Sequence, residues 1–188
     1  MRSLPLLALL LLAACTSLPP GSAEALRKLD VASTDLAALR VAVDLPLALE
    51  PRPETARLVV RVGGWTGRTE EGFPLEIDAE ETRQAELALA PPPGRHVVAF
   101  RLPQASLAAA EAFRQRALTA RHAPVLSLGV AADACRLGRL GDGPLLFATF
   151  LRAPETGGFV ALMHPADLRR LVRGDLLEAL PSCHAGLS

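Results

Sequence analysis

Between Leu39 and Leu45, four apolar residues (Leu39, Val41, Val43, Leu45) alternate with Arg40, Ala42 and Asp44, and Pro46 ends the run. Successive side chains of a strand point to opposite faces, so this period of two predicts a strand with one face on a core. The pattern returns. Leu58, Val60 and Val62 alternate with Arg57, Val59 and Arg61; Phe73, Leu75 and Ile77 with Pro74, Glu76 and Asp78; His96, Val98, Phe100 and Leu102 follow the break Pro91-Pro92-Pro93-Gly94. Pro74 has no N–H to give to a ladder, which places its strand at a sheet edge or boundary. Ala85, Leu87 and Leu89 read as a further short strand forming a hairpin with the next, after an acidic turn over Asp78–Glu81. Leu126, Leu128 and Val130 begin another strand; Leu145–Leu151, apolar on both faces, reads as a sheet centre; Phe159–Met163 completes a three-stranded meander.

Helices are fewer. Pro103 to Arg121 is rich in Ala, Glu, Gln, Arg and Leu and is closed by Pro124, the composition and punctuation of a helix. Shorter helical turns are expected over Glu24–Leu29, over Asp167–Arg173 before Gly174, and over Asp175–Leu180 before Pro181. Many short strands with one long helix predict a mainly β fold, a two-sheet β-sandwich with a helical crossover and short C-terminal helices; an α+β layer fold is the alternative.

Met1 to Ala14 has a different character. Arg2 is followed by an apolar stretch from Leu4 to Leu12 and then by small residues, the three parts of a secretory signal, and it is shorter than the roughly 20 apolar residues of a membrane-spanning helix. The run Leu12-Ala13-Ala14-Cys15 resembles the lipobox of the bacterial lipoprotein class, a resemblance limited to residues 1–15. It implies that residues 1–14 are a signal peptide, that Cys15 receives a diacylglyceryl group on its thiol and a further acyl chain on its freed amine, and that the partner of residue 15 is membrane lipid. Two or more acyl chains suffice for stable anchoring. In many Gram-negative lipoproteins an Asp in the next position marks retention in the inner membrane; Thr16 stands there, so the resemblance points to the outer membrane, facing the periplasm. Residues 15–23 then form the lipidated N-terminus and tether. The tether, Thr16–Ala23, has the composition of a linker and spans at most about 28 Å; residues 24–188 form a single β-rich domain.

Charge narrows the function. The 20 basic and 20 acidic residues cancel, leaving no electrostatic footprint for nucleic acid. They are not mixed evenly: residues 24–86 carry 13 acidic and 8 basic side chains, and residues 87–188 carry 7 and 11, an asymmetry that lets two halves of one fold attract each other. With no Tyr and only Trp65, an aromatic stacking surface is not expected. Gly63-Gly64-Trp65-Thr66-Gly67 lacks the spacing of a phosphate loop and reads as a turn.

Cys135 and Cys183 are the thiols that remain after Cys15, and in an oxidising compartment they are expected to form a disulfide; the competing reading makes Cys183-His184 a nucleophile or metal pair. If the strand from Leu126 continues in register, Leu126, Leu128, Val130, Ala132 and Ala134 share one face and Cys135 points to the other, where the tail helices are expected to dock through Leu168, Leu171 and Val172. His96, His122, His164 and His184 lie far apart without metal-ligand spacing, so no metal, no cofactor and no catalytic residue is assigned, and His96 is expected to be a hydrogen-bonded imidazole. Arg114 and Arg121 lie on the apolar side of the long helix and are the candidate anion-binding residues, with pairing of Arg114 to Glu111 as the simpler expectation. The function expected is a non-catalytic binding or scaffolding domain in the cell envelope, with an envelope protein as partner. The alternatives are an envelope hydrolase built on side chains such as His164 and Asp167, and a small-ligand carrier with a large apolar cavity.

Overall fold

The computed structural model describes residues 19–64, 67–119, 125–172 and 174–183. In chain order the elements are α1 (Pro20–Arg27), β1 (Arg40–Pro46), β2 (Leu49–Pro51), β3 (Arg57–Gly64), β4 (Gly67–Pro74), β5 (Glu76–Ile77), α2 (Ala79–Leu89), β6 (Arg95–Arg101), α3 (Gln104–Leu118), β7 (Val125–Ala131), β8 (Ala134–Arg136), β9 (Leu146–Arg152), β10 (Val160–Ala161), β11 (Ala166–Asp167), α4 (Leu168–Leu171) and α5 (Gly174–Glu178). Every ladder between these strands is antiparallel. The fold is mainly β, with short helices laid on the sheets. Among the described residues no helix is long and apolar enough to cross a membrane.

The main sheet runs β10-β9-β1-β6-β5, with β11 also on β9; a second sheet runs β4-β3-β7; β2 and β8 form a small third ladder. One core joins the first two: Val41, Val43 and Leu45 of β1 and Phe147 and Leu151 of β9 belong to the same buried cluster as Leu58 and Val60 of β3 and Ala110 and Phe113 of α3. Phe113 meets Phe73 of β4 edge to face, ring centres 5.9 Å apart. Burying a side chain such as Leu58 or Phe100 contributes roughly 1.5–3 kcal/mol before entropy is charged against it. α3 carries the chain from β6 in the main sheet to β7 in the second, the crossover that the long helical run implied.

The segment after Asp78 departs from the sequence reading. Residues 79–89 are the helix α2, neither acidic turn nor strand, and the hairpin expected there is absent. Asp78 caps the helix by accepting from the Glu81 N–H at 3.0 Å, and Leu87, whose place in the alternation suggested a strand, is 85% exposed. α2 covers the outer face of the main sheet. Ala42, Val97 and Ala99 are small enough there for Ala85 to approach, and the four form a second buried cluster; the Ala99 N–H also donates to the Thr82 hydroxyl at 2.9 Å. β1 is therefore buried on both faces from Val41 to Leu45.

Three smaller corrections concern connections. β9 and β10 pair as expected, but β7 pairs with β3 in the other sheet, so the meander has two strands and not three. The run from Leu126 does not continue in register to Cys135: β7 ends at Ala131, and Cys135 lies in β8 opposite Glu50. Leu168 enters the core and Val172 packs against it, whereas Leu171, expected to dock with them, is half-exposed. Pro74 fits its constraint, since it ends β4 at the edge of the second sheet just before the chain passes to β5 at the edge of the first.

Charge asymmetry appears as ion pairs between the halves: Asp44 with Arg95 at 2.9 Å, Glu76 with Arg101 at 2.8 Å, Glu71 with Arg116 at 3.7 Å, and Glu81 with Arg152.

Candidate functional site

α1 begins inside the segment read as tether, at Pro20, so only residues 16–19 separate it from Cys15; four residues span at most about 14 Å. α1 packs on β10 and on the turn Pro154–Thr156, and beside it an apolar groove opens between the two sheets. Leu26, Leu29 and Val31 line it together with Leu58 of β3, Leu128, Gly129 and Val130 of β7, Leu151 of β9, and Leu162. Its volume is about 160 Å³, against roughly 300–1,000 Å³ for pockets that enclose a small organic ligand. The groove has room for one or two apolar side chains.

The charged residues on the opposite side of the main sheet are held by one another. Arg40 Nε donates to Asp78 Oδ2 at 3.2 Å and lies 3.9 Å from Glu81 Oε2, which also accepts from Arg152 Nη2. The Glu81 side chain is 7% exposed, and its Oε1 has no hydrogen-bond partner among the described residues, nor has Arg152 Nε. The Arg152 guanidinium also sits over the Phe159 ring, 5.7 Å from its centre. A buried carboxylate between two guanidiniums costs desolvation, which the attraction offsets only when geometry and hydrogen bonds are good. Its effect is to fasten α2 across β1 and β9.

The expected site residues are placed as follows. Cys135 and Cys183 are disulfide-bonded, with Cα atoms 5.0 Å apart, and the backbone around them is tied in parallel: Arg136 N–H donates to Pro181 O at 2.8 Å, Cys183 N–H to Arg136 O at 2.9 Å, and Arg136 Nε to Leu180 O at 2.9 Å. The bond removes Cys183 from any role as a nucleophile with His184. Arg114 donates to Glu111 and to the Thr34 carbonyl, so its guanidinium holds α3 to the segment before β1, and Thr34 in turn donates to Glu155 at 3.0 Å. Cys15, Trp65, Arg121, His122 and His184 lie outside the described residues. His96 Nε2 is hydrogen-bonded to Leu49 O at 2.9 Å, as a satisfied imidazole would be. Asp167 Oδ1 accepts from the N–H groups of Leu145 and Arg169, both at 3.0 Å, capping α4. No hydrogen bond joins it to the exposed His164. Among the described residues no three His, Cys, Asp or Glu side chains are grouped to hold a metal.

Three exposed carboxylates sit below their ordinary pKa: Asp30, because the Ser33 hydroxyl and the Ala32 N–H donate to it; Glu54, because its own backbone N–H and Arg52 do; and Glu80, because Gln84 and Arg83 do. All three are turn and helix-surface arrangements.

The groove and the Glu81 cluster were not anticipated. For the cluster a signal existed: Asp78 and Glu81 stand three apart before Ala85, the spacing of a helix start. For the groove none did, because its walls come from residues more than a hundred positions apart. No family model, no curated protein and no solved structure matches the chain.

Proposed function

We propose that this chain is a lipid-anchored protein of the bacterial cell envelope, held through acylated Cys15 at the outer membrane and facing the periplasm, with a β-rich domain that binds or scaffolds a protein partner without catalysing a reaction. The observation that carries the reading is Leu12-Ala13-Ala14-Cys15 at the end of an apolar run. Two others support it. The Cys135–Cys183 disulfide suits an oxidising compartment outside the cytoplasm, and a groove of about 160 Å³ suits a protein side chain better than an enclosed ligand. With α1 starting five residues after Cys15, the domain lies against the membrane, and its partner must reach it there.

Fractionation of a Gram-negative host expressing the full chain tests the reading. The wild type is expected in the outer-membrane fraction and resistant to a high-salt or alkaline wash, while Cys15→Ala is recovered in soluble form or as uncleaved precursor. A wild type found wholly soluble, or a Cys15→Ala variant processed and retained like the wild type, contradicts it.

A further inference from the structure

The second sheet ends in two unlike edges. β4 carries Glu70 and Glu71 and closes on Pro74, the charges and proline that keep a foreign strand from adding to an edge. β7, Val-Leu-Ser-Leu-Gly-Val-Ala, has neither charge nor proline. It pairs with β3 on one side only, and none of the described residues hydrogen-bonds to the backbone on its other side. Alternate N–H and C=O groups along β7 therefore face outward, ready to continue the sheet. The apolar groove lies against the same strand, lined by Leu128, Gly129 and Val130.

We propose that β7 is the contact strand of a homodimer, in which two copies pair β7 to β7 in antiparallel register about Leu128. The inference does not rest on the lipid anchor. The strand is its own complement. With Leu128 opposite Leu128 of the second copy, Ser127 faces Gly129, and positions 125–131 all find partners with no residue left over and no like charges opposed. Size matches too. On the outer face the Arg61 side chain fills the space above Gly129, where a Cβ would stand 2.9 Å from Nη1, so a small residue is required opposite, and Ser127 is that residue. On the inner face Leu128 and Val130 pack against the core, and their counterparts in the second copy continue that apolar row past the edge, beside the groove. The pairing is isologous and closes at two, because the edges then left to the joined six-stranded sheet are both β4, which is charged.

Sedimentation equilibrium of the full-length protein in density-matched detergent tests this. The wild type is expected at twice the mass of one chain, Ser127→Lys at the mass of one chain, and Thr69→Lys, on the opposite edge, at twice. Retention of the far-ultraviolet spectrum and of the Cys135–Cys183 bond marks the variants as folded. A wild type with single-chain mass over the whole concentration range overturns the proposal, and leaves β7 to a strand from another protein; so does a folded Ser127→Lys that still dimerises. Should Ser127→Lys fail to fold, Leu128→Cys decides: mild oxidation is expected to give a covalent dimer from Leu128→Cys and none from Thr69→Cys, and its absence is contrary to the pairing.

Discussion

Glu81 of α2 accepts a hydrogen bond from Arg152 of β9, 71 residues further along the chain, with the carboxylate almost wholly out of water. Replacing it with alanine leaves Arg152 without its carboxylate, beside Arg40, whose own charge is still met by Asp78 alone. Removing one partner of a buried pair is expensive, and since Arg152 is about a third exposed, the loss is expected at the lower end, about 2–3 kcal/mol. Chemical denaturation of Glu81→Ala measures it. A loss no larger than that of an exposed pair such as Arg83–Glu80 would mean that the cluster does not fasten α2.

How far the fold was legible depends on where its faces lie. β1 and β3 could be read because half of each strand is apolar and meets the core. β4 could not be read in full, because Arg68-Thr69-Glu70-Glu71 shows no apolar alternation; this edge strand is held by its ladder to β3. Residues 85–89 satisfied both periods, and only the cap at Asp78 separates helix from strand. The disulfide was legible from counting thiols, but the face it occupies was not, since that depends on the break after Ala131. The groove, assembled from distant elements, left no local trace.

Ala90 closes α2 in the left-handed region, with φ of 44°. An L residue is strained there by roughly 1 kcal/mol or more, which glycine avoids. Because glycine also loosens the unfolded chain, Ala90→Gly is expected to stabilise the protein by about 0.5 kcal/mol net. Thermal unfolding checks the sign, and a destabilisation would show that the cap is not strained.

Reduction of the Cys135–Cys183 bond, or Cys183→Ser, is expected to cost about 2–5 kcal/mol and to loosen residues 165–188 first. Hydrogen exchange resolves the order. The hydrogen bonds around Arg136 keep part of the tail in place, so the acceleration is expected to be partial at residues 180–183 rather than complete. Uniform acceleration along the chain would contradict a local tether.

Asp30 ends the stretch that follows α1, and the hydrogen bonds from Ser33 and Ala32 hold its pKa below the ordinary value. A carboxylate with a lowered folded-state pKa contributes stability that is present above its unfolded pKa and lost as pH falls through the folded one. Ser33→Ala removes the larger cause, so the Asp30 pKa is expected to rise towards that of an unperturbed carboxylate. Carbon-13 titration of the side chain reports it. An unchanged midpoint would exclude the Ser33 hydroxyl as the cause.

Mass spectrometry of the mature N-terminus tests the lipid anchor most directly. The expected N-terminal peptide begins at Cys15 and carries a diacylglyceryl group on sulfur and an acyl chain on nitrogen, with residues 1–14 absent. An unmodified Cys15, or a mature chain beginning at any other residue, would contradict a lipid-anchored envelope protein.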